Sequence, residues 1–268
     1  MPETDYWALH QAACERGETT YTDPETGFMV FTRLGLLERD RCCGAGCRHC
    51  PFGHESVGLS QRAKRIQQAA WLTEARPDLA KETALLFWSG GKDSFLAYRA
   101  LEREQKYSIV LVTTFDARSR IIAHQEFPID DVLEQAKQLD IPLIGIPLHS
   151  GPDYVDQIVP ALDLVPDCKT LCFGDLHLEH IRKWREEAFD THERTKDMAL
   201  ELPIWKVDYD ALLEDLVASG AECRISAIAS DLPGIAVGDR FDADLIARLP
   251  RGVDAFGENG EFHTRIMP

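Results

Sequence analysis

Residues 84–94 read Ala84-Leu85-Leu86-Phe87-Trp88-Ser89-Gly90-Gly91-Lys92-Asp93-Ser94, and this stretch decides the fold. An apolar run breaks off at Ser89, two adjacent glycines follow, and residues 95–101 have the composition of a helix. The pattern predicts a strand, a tight turn and a helix start. Such a turn gathers backbone N–H groups into one concavity, and the helix dipole adds partial positive charge there. Paired glycines let the backbone approach a bulky anion closely. Ser89 and Ser94 add hydroxyl donors and Lys92 a full charge, so the expected guest is a phosphate chain. The phosphate loop of kinases and GTPases would need a glycine five positions before Gly91, where Leu86 stands.

Ser89-Gly90-Gly91-Lys92-Asp93-Ser94 instead resembles the pyrophosphate loop of the N-type ATP pyrophosphatases. That resemblance implies ATP, cleaved between its α- and β-phosphates, as the nucleotide. It also implies that Ser89, Gly90, Gly91, Lys92 and Ser94 hold the leaving pyrophosphate. Asp93 would position the loop or a Mg²⁺ ion through water, and Lys92→Ala would abolish pyrophosphate release.

Working outward, apolar runs alternate with helical patterns. Strands are expected over 107–113, 141–147, 170–173, 202–205 and 223–229. Helices are expected over 130–139, 154–162, 178–188 and 209–218. This alternation predicts an α/β fold, a mostly parallel sheet with helices on both faces. Ligands of such sheets bind beyond the carboxyl ends of the strands, where Ser89, Thr114 and Asp175 are expected.

Further blocks follow in order: Arg120-x3-His124, Gln135-Ala136, Phe173-Gly174-Asp175-Leu176, Ile181-Arg182, Arg185-Glu186, Leu202-Pro203-Ile204-Trp205 and Gly257-Glu258-Asn259-Gly260-Glu261-Phe262-His263-Thr264. Over residues 83–265 the chain resembles the diphthine–ammonia ligase-like ATP pyrophosphatases, particularly their bacterial branch of uncertain substrate. The resemblance implies an adenine nucleotide alpha hydrolase-like, Rossmann-like fold. It also implies an ATP-dependent ligase: a carboxylate or carbonyl oxygen is adenylated, and ammonia or an amine displaces AMP. Thr113 and Thr114 would border the adenine, with Gly174 beside the nucleotide and Asp175 as metal ligand or adenylate contact. Arg120, His124, Arg182, Glu258 and Asn259 are candidate substrate contacts. Lys92, Asp93, Asp175, Glu186, Glu261 and His263 form the candidate catalytic set, the last two suiting general base work. Arg182 and Glu186 stand i, i+4 on one helix and can equally form a surface pair; residues 258–261 can equally be a polar turn in a hairpin. The chain departs from the family at Ala255-Phe256, where relatives commonly have Pro-Cys, and it stops at Pro268, so a final strand is expected to be missing.

The amino-terminal part carries a different signal. Cys42, Cys43, Cys47 and Cys50 fall within nine residues, with glycines between them. The spacing suits zinc or an iron–sulfur cluster, which it does not separate; a redox dithiol or free thiols are the alternatives. Residues 21–51 resemble a small cysteine-rich domain family of unknown function. A strand is expected over 27–32. Residues 33–65 hold seven Arg or Lys against three Asp or Glu, either a nucleic-acid contact or a solvated basic face. Cys172 is expected to be a buried inert thiol.

The chain has 268 residues, a net charge of −16 and eight cysteines. Such acidity disfavours tight non-specific nucleic-acid binding. No signal peptide and no apolar run of roughly 18 residues is seen, so a cytoplasmic protein without membrane contact is expected. The expected organisation is a cysteine-rich segment over 1–60, a linker helix over 61–82, the ATP pyrophosphatase body over 83–230 and a substrate-side segment over 231–268. Expected partners are a small-molecule or protein-borne carboxylate and an amine donor, with a homodimer as a candidate assembly. Two other functions remain open: ATP-dependent thiolation of tRNA with an iron–sulfur cluster on the cysteines, and non-catalytic ATP-dependent sensing of metal or redox state.

Overall fold

The structure, a computed structural model, describes residues 6–123, 125–229 and 232–268. It opens with α1 (Tyr6–Glu15), the antiparallel ribbon β1 (Thr20–Thr22) and β2 (Met29–Phe31), and α2 (Arg33–Leu37). The cysteine-bearing stretch then runs as turns to α3 (Leu59–Arg65). The body follows: β3 (Ala70–Trp71), β4 (Glu82–Phe87), α4 (Lys92–Glu104), β5 (Tyr107–Asp116), α5 (Ile129–Gln138), β6 (Leu143–Leu148) and α6 (Tyr154–Ile158). After a 3-10 turn come β7 (Thr170–Cys172), α7 (Glu179–Asp190), β8 (Ala199–Glu201), α8 (Tyr209–Ser219), β9 (Glu222–Ile228), α9 (Ala243–Arg248) and β10 (Phe262–Met267).

The central sheet has six strands in the order β3-β6-β5-β4-β7-β8. Five run parallel, and β3 joins the edge antiparallel to β6. Helices cover both faces, so β4 is apolar throughout rather than alternating: Leu85 and Leu86 are each fully buried, one in the core of each face. Burying each such side chain contributes about 1.5–3 kcal/mol. This is the mostly parallel α/β architecture that the alternation predicts. From β4 the chain builds outward through β5 and β6, and β7 then returns to the other flank of β4. The reversal opens a crevice beyond the ends of β4 and β7, the place where open α/β sheets bind ligands.

Four local expectations are corrected. Residues 202–205 form a turn, and the strand lies just before them, at β8; Pro203 has no N–H for a ladder. The helix over 154–162 stops at Ile158 and tightens into the 3-10 turn Val159–Leu164, because Pro160 lacks the N–H an α-helix would use. The stretch over 61–82 is more than a linker, since β3 inside it pairs with Ile144 and Gly145. The turn at 258–261 forms, but not in a tight hairpin: β10 pairs with β9, and α9 lies between them in the chain.

Candidate active site

The glycine turn joins β4 to α4. Gly90 has φ +81°, a left-handed conformation that glycine adopts without strain. A Cβ there would lie 2.8 Å from Gln135 Oε1, so glycine is needed on both counts. Ser89 and Ser94 put their hydroxyl oxygens 3.4 Å apart, and Ser94 donates back to the Gly91 carbonyl at 3.0 Å. Two distant elements hold the turn. From β10, Ile266 N–H donates to the Gly90 carbonyl at 2.9 Å, while Thr264 Oγ1 accepts from Lys92 N–H at 3.0 Å. From α5, buried Gln135 accepts from Trp88 Nε1 at 2.8 Å and donates to the carbonyls of Gly90 (3.0 Å) and Ile266 (2.7 Å).

The turn faces a cleft of about 540 Å³ at the β4/β7 switch point. Phe87, Val112, Thr114, Leu148 and Tyr154 line it with apolar and aromatic surface suited to a base. Ser89, Ser94 and the start of α4 line it beside the glycine turn. Asp93, Gly174, Asp175, Arg185 and Glu258 complete the lining. Gly174 permits this closeness: a Cβ there would stand 2.7 Å from the Asp93 carbonyl oxygen.

The charged part of this lining is mostly acidic. Arg185 grips Asp175 through both carboxylate oxygens at 2.5 and 3.0 Å, its guanidinium 4.0 Å above the Phe173 ring. Burial raises the Asp93 carboxyl, and the neighbouring Lys92 ammonium opposes that rise. One Asp93 oxygen, Oδ1, is buried with no hydrogen-bond partner. Burial, and then the charge of Asp93, push Glu258 up to about 8. Arg185 and Lys92 pair with Asp175 and Asp93, but Asp93 Oδ1 and the Glu258 carboxyl remain as oxygen donors of the kind that suits Mg²⁺. Among the described residues no group of three or more such side chains forms a ready cage. Mg²⁺ is usually held by one or two carboxylates plus substrate phosphates, so Asp93 and Asp175 fit it without a closed cage.

The expected site residues divide. Ser89, Asp93, Ser94, Thr114, Gly174, Asp175 and Glu258 come together around the cleft, with Gly90 and Gly91 in its loop. Lys92 is a correction: its ammonium turns away, 3% exposed, to sit 5.2–5.9 Å from the rings of Phe241, Phe256 and Phe262. As the first residue of α4 it points back under the carboxyl-terminal segment rather than at the concavity. Thr113 is fully buried, because side chains alternate along β5 and Thr114 takes the cleft side. Arg182 and Glu186 pair at 2.8 Å and line a neighbouring cavity instead. Glu261 closes its own turn by accepting from the backbone of Asp254 and Asn259 and from the Asn259 amide. Neither Asn259, Glu261 nor His263 lines the cleft. Arg120 donates to the Ile66 carbonyl at 2.8 Å, tying the β5–α5 loop to the amino-terminal part. His124 lies outside the described residues. Sequence reasoning missed Thr264 as a partner of the loop, and it met Gln135 and Arg185 only as motif letters.

The cysteines stand as two pairs. Cys42 and Cys50 are buried with sulfurs 3.9 Å apart; Cys43 and Cys47 are nearer the surface at 3.7 Å. Sulfurs bound to zinc at about 2.3 Å in a tetrahedron lie ~3.8 Å apart, so each pair has the length of one ligand edge. Backbone N–H groups point at the sulfurs: Gly44 toward Cys42, Ala45 toward Cys43, Phe52 and His54 toward Cys50. Among the described residues the four do not close into one cage.

Fold and site together define a class: a mostly parallel, Rossmann-like α/β sheet with a glycine turn facing a cleft at its switch point. Residues 81–191, which carry this loop and the cleft strands, match the family described as the diphthamide synthase N-terminal domain, a PP-loop ATP pyrophosphatase family. Residues 9–56, which carry the four cysteines, match a family of unknown function, DUF5522. Glu258 and β10 lie outside both matches. A crystal structure of a predicted subunit of tRNA methyltransferase from Methanocaldococcus jannaschii is 20% identical, over 69% of this chain and 96% of that chain, with a TM-score of 0.36. No helix of the described residues is long and apolar enough to cross a membrane.

Proposed function

We propose that the protein is a cytoplasmic ATP-dependent ligase that adenylates a carboxylate or carbonyl oxygen and passes the activated group to ammonia or an amine. The observation that carries this reading is the cleft itself. A glycine turn at a helix start, in a segment matching an ATP-using family, faces carboxylates and one arginine across a space of nucleotide size. The acceptor oxygen attacks the α-phosphorus, the α–β bridge breaks, and pyrophosphate leaves on the turn. The amine then attacks the activated carbon, AMP departs, and the amine surrenders a proton.

The Ser89 and Ser94 hydroxyls and the α4 amides hold the phosphates. Asp93 and Asp175 would hold Mg²⁺, which when bound neutralises charge on the departing pyrophosphate. Glu258, whose carboxyl titrates near 8, suits receipt of the amine proton better than the turn-bound Glu261. The two thiol pairs support a further reading, that Cys42, Cys43, Cys47 and Cys50 hold zinc or an iron–sulfur cluster. The test is AMP and pyrophosphate release by anaerobically purified protein, with metal analysis of the same sample. Asp93→Asn should lower release at least a hundredfold; release at the wild-type rate overturns the assignment.

A further inference from the structure

Beside the nucleotide cleft lies a second cavity of about 240 Å³, between α7 and the turn after β8, and Phe173 and Arg185 belong to the walls of both. Its chemistry differs from that of the cleft. Arg182 and Arg185 stand i, i+3 on one face of α7. Each guanidinium lies against an aromatic ring: Arg182 at 5.4 Å from Trp205, Arg185 at 4.0 Å from Phe173. The rings limit the freedom of the guanidinium groups, and a planar fork suits two-point capture of a carboxylate. Leu200 and Leu202 supply an apolar wall.

The cations are not locked away by their partners. Glu186, the one carboxylate among the described residues that line this cavity, pairs with Arg182 at 2.8 Å, but both side chains are over 40% exposed. Such a surface pair stabilises by only about 0.3–0.5 kcal/mol and yields easily to a ligand. Arg185 commits Nε and Nη2 to Asp175, which leaves Nη1 outside that pair. On a chain of net charge −16, an arginine-and-aromatic cavity selects for an anion. Its volume lies below the roughly 300–1,000 Å³ of drug-sized sites, so the anion is small.

We propose that this cavity is the acceptor site, and that the acceptor is a small carboxylic acid with an apolar or aromatic body. Its carboxylate lies against Arg182 and Arg185 and its body against Trp205, Leu200 and Leu202. The shared wall puts the carboxylate next to the nucleotide, as the attack on the α-phosphorus requires. This rests on the ligase reading above and adds the class of acid to it.

The test is calorimetry on the full chain in two stages. In the first, α,β-methylene-ATP with Mg²⁺ is titrated alone. In the second, benzoate, phenylacetate and indole-3-acetate are titrated into nucleotide-saturated protein, with benzamide as the uncharged control. At least one acid is expected to bind and benzamide is not. Arg182→Gln, at an exposed helix position, is expected to weaken the acid at least tenfold while nucleotide affinity moves less than twofold. If the nucleotide fails to bind, the ligase reading falls and takes this inference with it. If the nucleotide binds but no acid does, if benzamide binds as well as the acids, or if Arg182→Gln binds them unchanged, the inference alone is overturned. Mutual displacement of acid and nucleotide also overturns it, because the cavity would then belong to the nucleotide.

Discussion

Lys92 Nζ stands 2.9 Å from Oδ2 of Asp93, the next residue in the chain, and it does so beneath three phenylalanine rings rather than in the cleft. A lysine in a phosphate-loop motif thus serves to hold an acid. Asp93 reaches the cleft because Lys92 neutralises it from behind, and the aromatic residues of the carboxyl-terminal segment cover the ammonium.

Lys92→Met therefore has a particular signature. It leaves Asp93 crowded with no counter-charge, and losing one partner of a buried pair costs about 3 kcal/mol. Urea unfolding should show a loss of that order. The affinity for α,β-methylene-ATP, read by calorimetry, should fall less than tenfold, since no charge leaves the cleft. A loss of a hundredfold or more with stability intact would return the ammonium to the phosphates.

Glu258 sets a pH dependence of stability. Its carboxyl titrates near 8 in the folded chain, from an ordinary value of 4.5, so the folded state keeps the proton more tightly than the unfolded one. The stabilisation is complete below 4.5, declines as pH rises, and is lost above about 8. In protein free of magnesium and nucleotide, Glu258→Gln should melt within a degree of wild type at pH 4.5. At pH 8.5 it should melt about 3 °C or more higher. Parallel melting curves for the two proteins across that range would remove the raised carboxyl.

Gln135 is the peg between the loop and the last strand. Gln135→Leu leaves the Trp88 indole N–H and the Ile266 carbonyl without this buried partner, each at about 1–3 kcal/mol. The expected result is a stability loss of ~3 kcal/mol or more in urea. Amide hydrogen exchange should quicken at Lys92 and Ile266, whose N–H groups bridge loop and strand. Unchanged exchange there would mean that β10 holds the loop unaided.

The sequence showed the parts of this site that are local. Residues 84–94 contain their own strand, turn and helix start, so the loop and its sheet could be read from neighbours alone. Cys42 to Cys50 likewise pair within nine residues. What could not be read depends on long-range packing. Nothing near Lys92 indicates that Phe241, Phe256 and Phe262 will cover its ammonium, and nothing near Thr264 announces a bond 172 positions away. That Glu258 rather than Glu261 lines the cleft was hidden for a related reason. Both sit in one polar turn, and only its closure onto the Asp254 backbone decides which carboxylate faces the cleft.

The cysteine knuckle offers a chemical order that can be measured residue by residue. The Ala45 N–H lowers the Cys43 thiol, and Cys43 is exposed. Burial pushes Cys47 up to about 11 and raises Cys50, which is itself buried. The thiolate is the reactive form, so in chelator-stripped, reduced protein iodoacetamide at pH 7.5 should label Cys43 first, at least tenfold faster than Cys47, with Cys50 slowest. Mass spectrometry of timed digests reads the order. Metal bound at these sulfurs would protect all four, and stripping it should lower the melting temperature because binding is coupled to folding of the segment. Equal labelling before and after chelation, with no change in melting, would leave the four thiols without a metal and Cys43 as a reactive surface thiol.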